Sequence, residues 1–101
     1  MPNIVIIGSG PAGVSAALYA ARAGVKTTIL TKGPGALDRA ELIQNYYGFA
    51  EPISGAELER RGIEGAKALG VQFVTTEAVG LTYTDKLTVE TVDKNHLADA
   101  V

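Results

Sequence analysis

The sequence predicts an α/β fold in which a βαβ-α-β core is followed by a short antiparallel β-meander. Three observations predict it. An apolar, β-branched run at residues 3–7 ends in a glycine-rich turn, and an alanine-rich segment follows at 12–23. A second apolar run at 25–31 completes one βαβ unit within about 30 residues. After residue 76 the apolar residues recur at every second position, which is typical of antiparallel strands.

The first elements have clear sequence boundaries. The run at residues 3–7 is apolar throughout, as expected of a parallel strand buried on both faces. Pro11 suits the first turn of a helix, and Gly24 suits the position just after its last turn. Residues 32–47 are predicted to be irregular, because the Gly-Pro-Gly at 33–35 interrupts both helix and strand.

The second half of the chain has its own boundary signals. Residues 38–45 are compatible with one or two helical turns. Ser54 and Glu57 have the spacing of a capping box, and Gly70 closes the helix that they open. A third core strand is predicted at 71–76. The meander strands are predicted at residues 78–84, 86–92 and 96–101, with turns at 85–86 and 93–95.

Composition limits the class of protein. The chain has 101 residues and a formal net charge of −2, which predicts one domain over residues 1–101 with its meander at about 77–101. Without a basic stripe we expect no nucleic acid, and without a 20-residue apolar run no membrane span. No leader pattern precedes the first apolar run, so a cytoplasmic location is expected. Because cysteine is absent and His96 is the single histidine, no His/Cys metal site is expected.

The turn after the first strand carries three glycines in the pattern G-x-G-x-x-G, at Gly8, Gly10 and Gly13. The first permits the tight turn, the second lets the backbone approach a pyrophosphate, and the third lets helix and strand pack closely. The motif follows a predicted strand and opens a predicted helix, so we expect a Rossmann-like dinucleotide site. The alternative is a glycine-rich turn without a ligand.

The acid that usually follows this motif by about 20 residues, and binds a ribose hydroxyl, is missing. The second strand ends instead at Thr31 and Lys32, and the next acid is Asp38. Lys32 has two interpretations: it binds a ribose 2′-phosphate, as in an NADP site, or it is a solvated residue at a strand end. The second is favoured.

Four stretches together resemble one flavoprotein group. "GSGPAG" and "AALYAARAG" are similar to the FAD-binding start of thioredoxin reductase-like members of the pyridine nucleotide-disulfide oxidoreductase superfamily. "GPGAL" at 33–37 and "QNYYGF" at 44–49 resemble two further loops of that group. Departures are Thr31 in place of a frequent acid and Ala36 in place of a glutamine.

The resemblance implies FAD as the cofactor, with NADP as the alternative. It implies that the pyrophosphate binds at the glycine loop, including Pro11 and Ala12, and that the ribose lies near Thr31 and Lys32. It places the adenine against backbone near Glu77 to Val79, with Ala78 as the cofactor-binding residue. The remaining cofactor-binding residues that it implies are Gly35, Ala36, Leu37 and, at the flavin end, Asn45. Tyr46 and Tyr47 either cover a flavin ring or pack within their loop.

Family members are about three times longer, so the resemblance implies that the NAD(P) domain, with its redox-active CxxC, lies outside this chain. We therefore expect an FAD-binding portion without catalytic residues of its own; Asp38 and Glu41 are interpreted as solvated. Weak FAD affinity and a homo-oligomer formed through an exposed sheet edge are expected. The alternatives are a stand-alone NAD(P)-binding module, and a fragment that folds but binds little.

Overall fold

A computed structural model describes residues 2–33, 39–40, 42–44, 47–48 and 50–101. Two helices and six strands form from these residues. They are β1 (Asn3–Ile7), α1 (Pro11–Arg22), β2 (Lys26–Thr31), α2 (Gly55–Ala68), β3 (Gln72–Thr75), β4 (Ala78–Tyr83), β5 (Leu87–Thr91) and β6 (Asn95–Ala98). Neither helix is long and apolar enough to span a bilayer.

The central layer is a parallel sheet in the order β1-β2-β3. Asn3 of β1 lies opposite Lys26 of β2, and Thr28 of β2 lies opposite Gln72 of β3. Because the strands are parallel, the carboxyl ends of all three lie at the same end of the sheet, here called the carboxyl edge. Any group carried by the loops that follow these strands therefore converges at that edge.

Both helices begin and end near the predicted residues. Proline occupies the first turn of α1, and a glycine with positive φ follows each helix, at Gly24 and Gly70. The Ser54 hydroxyl caps α2 by accepting the Glu57 N–H at 3.1 Å. The Glu57 carboxylate does not close the predicted box, because Arg60 and Arg61 bind it instead.

The antiparallel strands β4, β5 and β6 form a second sheet. It packs against one face of the parallel sheet, and the two helices pack against the opposite face. The core therefore has two halves, and β2 contributes to both. Ile29 packs with the helices, next to the fully buried Ala17 and Ala66, whereas Leu30 packs with Val89 of the meander. Alternate side chains of one buried strand thus join a helical layer and a meander layer.

The prediction of a strand over residues 96–101 is wrong for the second half of that range. β6 ends at Ala98, the chain turns at Asp99, and Ala100 pairs in parallel with Ile4 on the outer edge of β1. The Asp99 carboxylate stabilises this turn, because it accepts hydrogen bonds from the Asn3 N–H at 2.8 Å and from the Lys86 ammonium at 3.1 Å. The two sheets are joined at this point.

Part of the predicted helical segment at 38–45 lies outside the described residues. Within it, Ile43 forms an antiparallel bridge with Ile53, with N–H to carbonyl distances of 2.6 and 3.1 Å. The Gly55 N–H also bonds the Ala40 carbonyl at 2.7 Å. Residues 42–44 therefore do not continue a helix, and the bridge fixes the approach to α2.

Candidate nucleotide-binding site

The glycine loop leaves β1 through a backbone conformation that favours glycine. Gly8 has a φ of +109°, and its N–H bonds the Leu30 carbonyl at 2.8 Å, so the turn stays attached to β2 as it leaves the sheet. The Gly10 carbonyl then accepts the Val14 N–H at 3.0 Å, the first bond of α1. The chain passes from strand to helix within three residues.

Gly13 is required by packing. A Cβ at this position would overlap the Gly8 carbonyl oxygen, and it would lie 3.1 Å from the Gly8 carbonyl carbon and 3.4 Å from Cγ2 of Ile6. The obstacle is backbone that is itself bonded to β2, so it cannot move aside as a side chain would. This is the close helix–strand approach that the third glycine of the motif predicts.

The N-terminus of α1 is open. Gly10 is the N-cap, with no side-chain cap and no acidic residue in the first turn, and Pro11 contributes no N–H. The N–H groups of Ala12 and Gly13 therefore lack intrahelical partners and point outward with the positive end of the helix dipole. A Cβ at Gly10 would have nothing within 4 Å. This is the space that a phosphate needs to approach the backbone.

A cleft of about 490 Å³ lies at the carboxyl edge of the sheet. The segments that follow β1, β2 and β3 all line it, as the parallel topology requires. Its lining is Ile7, Gly8, Ser9, Gly10, Leu30, Thr31, Lys32, Gly33, Thr76, Glu77 and Ala78. The cleft is open rather than enclosed, and residues from three separate segments line it, which suits a ligand that contacts all three.

Hydrogen bonds between these segments hold the cleft together. The hydroxyls of Ser9 and Thr31 are 2.7 Å apart, which ties the glycine loop to the end of β2. Thr31 also accepts the Gly33 N–H at 3.1 Å, and its carbonyl accepts the Thr76 N–H at 2.9 Å. Ser9 and Thr76 are buried and Thr31 is half-buried, so these bonds are partly shielded from water.

Of the described residues that line the cleft, two have charged side chains, and both are partly exposed. The Lys32 ammonium and the Glu77 carboxylate are 4.0 Å apart, with 75% and 49% of their side chains exposed. Behind them, the Thr76 hydroxyl donates to the Asp93 carboxylate at 2.6 Å. The opposite charges of Lys32 and Glu77 offset each other there, whereas residues 8–13 of the glycine loop carry no charged side chain.

The structure brings together most of the described residues that the sequence predicts for the site. Gly8, Gly10, Thr31, Lys32 and Ala78 line the cleft. Pro11 lines an adjoining groove between α1 and α2, and Ala12 and Gly13 form the first turn of α1. The predicted residues Gly35, Ala36, Leu37 and Asn45 lie outside the described residues.

Sequence reasoning missed the side chains of Ser9, Thr76 and Glu77 at this cleft. Thr76 and Glu77 follow β3, more than 40 residues after Lys32, so only the parallel register makes them neighbours of Thr31. The sequence could have indicated them, because in a parallel sheet the residues that directly follow each strand lie together at its carboxyl edge. Among the described residues, no cluster of three or more His, Cys, Asp or Glu side chains could hold a metal ion.

Fold and cleft together define a nucleotide-binding α/β domain of the Rossmann-like type, and comparison with known proteins identifies the family. The model of the pyridine nucleotide-disulphide oxidoreductase family matches residues 2–101, so the chain belongs to that family. The predicted fold class and the predicted resemblance to thioredoxin reductases are both confirmed.

Similar proteins are thioredoxin reductases. That of Aquifex aeolicus is 42% identical over 94 residues, which are 90% of this chain and 29% of the relative. That of Streptomyces coelicolor is 38% identical, covering 98% and 32%. The crystal structure of Lactococcus lactis thioredoxin reductase superposes with a TM-score of 0.90 at 36% identity, covering 98% and 33%. The chain thus spans about a third of the length of these relatives.

Proposed function

We propose that this chain is the FAD-binding portion of a thioredoxin reductase-like, NAD(P)H-dependent flavoprotein oxidoreductase, and that it is not catalytic by itself. The observation that carries the proposal is the open space at Gly10, beside the uncapped N-terminus of α1 and at one end of the 490 Å³ cleft. An anion there meets free N–H groups without a side chain in its way.

The described residues fit a dinucleotide whose two ends extend from a central pyrophosphate. Gly10 and the first turn of α1 bind the pyrophosphate through backbone N–H groups. Gly8, whose own N–H is bonded to Leu30, makes the turn that positions them. The ribose of the adenosine half lies toward Thr31 and Lys32, and Ala78 lies against the adenine. The loop residues at 35–37 and Asn45 remain sequence predictions for the ribose, pyrophosphate and flavin end.

The flavin, when bound, supplies the redox chemistry, and the protein binds and orients it. The residues of this chain contribute positioning: the glycine loop fixes the pyrophosphate, and the bonds from Ser9 through Thr31 to Thr76 hold the walls of the cleft in register. Among the described residues that line the cleft, the charged side chains are Lys32 and Glu77, and they pair with each other rather than with a hydroxyl. This supports a binding role without catalysis by the chain alone.

A second candidate function is a stand-alone NAD(P)-binding module, because Lys32 is the cation at the place where a 2′-phosphate would lie. The Glu77 carboxylate beside it counts against this alternative. Similarity to thioredoxin reductases over nearly the whole chain favours the flavoprotein.

Ligand titration separates the two functions. We expect FAD to raise the thermal unfolding temperature of the purified chain in a concentration-dependent way, since a ligand that binds only the native state stabilises it. Flavin fluorescence gives an independent affinity. NADH and NADPH should produce smaller shifts at equal concentration. A shift selective for NADPH would instead establish the second function, and no shift with any dinucleotide would contradict both.

A further inference from the structure

We propose that Glu77 supplies the carboxylate of the adenosine pocket, holding an unphosphorylated ribose and excluding a 2′-phosphate. The inference rests on the proposed function, because it assigns a further residue to the same dinucleotide cleft. It also assigns a role to Lys32: the lysine is the partner of that carboxylate rather than a phosphate ligand.

The acidic residue that usually binds the ribose, at the end of the second strand, is absent. No acid stands at the end of β2, and the Thr31 hydroxyl that replaces it is already engaged with Ser9 and with the backbone of Gly33. Its single proton goes either to Ser9 or to the Gly33 carbonyl. A ribose hydroxyl would have to displace one of these bonds to use Thr31.

Glu77 reaches the same place from the neighbouring strand. Thr31 and Thr75 are register partners, and the Thr76 N–H bonds the Thr31 carbonyl at 2.9 Å, so β3 and its following residues continue beside the end of β2. The Glu77 carbonyl accepts the Val92 N–H at 3.1 Å, which fixes its backbone to the meander. The side chain then extends to 4.0 Å from Lys32, at the edge of the cleft.

The charges at this end of the cleft select against a phosphate. Lys32 contributes one positive charge and Glu77 one negative charge to the lining. A second negative charge, Asp93, lies outside the lining and accepts the Thr76 hydroxyl. A ribose hydroxyl gains a hydrogen bond to the Glu77 carboxylate, whereas a 2′-phosphate meets like charge. The pyrophosphate does not depend on these groups, because it binds at the other side of the cleft against backbone N–H groups.

The test compares two probes that differ only in the 2′-phosphate, AMP and adenosine 2′,5′-bisphosphate, on the full 101-residue chain. We expect the unmodified chain to prefer AMP, and Glu77→Gln to change the ratio of the two affinities by about fivefold toward the bisphosphate. Lys32→Ala should change the ratio in the opposite direction.

High salt should reduce both effects, because screening weakens exposed charges. Asp85→Asn, which removes an exposed carboxylate from the β4–β5 turn, is the matched control and should leave the ratio unchanged.

Each outcome decides between the two proposals. A ratio that Glu77→Gln leaves unchanged, a preference of the unmodified chain for the bisphosphate, or no AMP binding would overturn the role of Glu77. A chain that discriminates AMP as expected but fails to bind FAD would overturn the proposed function and leave the assignment of Glu77 standing. Because the Lys32–Glu77 pair is exposed, neither substitution should unfold the chain, and thermal unfolding without ligand verifies this.

Discussion

Single residues of the glycine loop carry separate tasks that substitution can distinguish. Gly13→Ala places a methyl group against the carbonyl of Gly8, a residue whose N–H is bonded to Leu30 of β2. We expect it to lower the free energy of unfolding by about 2–4 kcal/mol, as overpacking against fixed backbone does. Urea unfolding measures the change.

Gly65→Ala is the control for that substitution, since it adds the same methyl group within α2, where a Cβ has nothing within 4 Å. It should raise the free energy of unfolding by up to about 1 kcal/mol through helix propensity. Equal effects of the two substitutions would contradict the packing role of Gly13.

Gly10→Ala tests binding rather than folding. A methyl group at Gly10 meets no protein atom within 4 Å, and the backbone there has a φ of −71°, which any residue adopts. We therefore expect the chain to fold normally and the FAD affinity to fall by about tenfold or more, because the methyl group occupies the space next to the helix N-terminus. FAD titration measures the loss, and unchanged affinity would refute a pyrophosphate at this loop.

At the residue scale, the sequence predicted the glycines but not the contacts between side chains. The three glycines follow from a local motif whose spacing is fixed by the turn itself. Ser9 with Thr31, and Lys32 with Glu77, are neighbours only through the order and register of the strands. Lys32 alone in the sequence suggested a solvated lysine or a phosphate ligand, with the solvated lysine favoured, and nothing in the sequence indicated the Glu77 carboxylate 4.0 Å from its ammonium.

At the scale of elements, α2 carries a group of ion pairs in its first turns, centred on Glu57 and Arg60. Hydrogen bonds from Arg60, and then from Arg61, hold the pKa of Glu57 at about 2, below its ordinary value of 4.5. The folded pKa is the lower one, so the ionised carboxylate stabilises the fold above about pH 4.5. This contribution is lost as the pH falls from about 4.5 toward 2.

Glu57→Gln should therefore lower the thermal unfolding temperature near pH 6 and have little effect near pH 2. The difference stays small because the side chains are partly exposed. Comparing the variant with the unmodified chain at each pH separates Glu57 from Asp99, whose pKa is also lowered, mainly by the Asn3 N–H and then by Lys86. A difference independent of pH would show that Glu57 acts only through its hydrogen bonds.

Element boundaries were predictable where the stop signals are local. Gly24 and Gly70 end the two helices as expected, and Ser54 begins the second. The end of β6 was not predictable, because the alternating pattern continues through Asp99 while the chain leaves the meander to pair with β1. The alternation of apolar and polar residues along the sequence cannot reveal which of two sheets a residue joins.

At the scale of the whole molecule, one edge of the parallel sheet is only partly paired. In a strand, the backbone groups of alternate residues point to the same side, and those of Asn3 and Val5 point away from β2, since they bond Asp99 and Ala100. Ile7 has the same orientation, and its side chain is 53% exposed. Among the described residues, the paired part of this edge ends at Val5, before Ile7.

An unpaired edge next to exposed apolar side chains favours pairing with a second copy. We expect the purified chain to self-associate, so that light scattering during size-exclusion chromatography gives a mass above the 10.5 kDa of one chain. Ile7→Lys should shift the equilibrium toward monomer, because a charge on an edge strand opposes pairing. Tyr83→Lys places the same charge at the exposed end of β4 and serves as the control for association through the meander. A monomer at high concentration would refute self-association, and dissociation by Tyr83→Lys alone would assign the contact to the meander instead of the edge of β1.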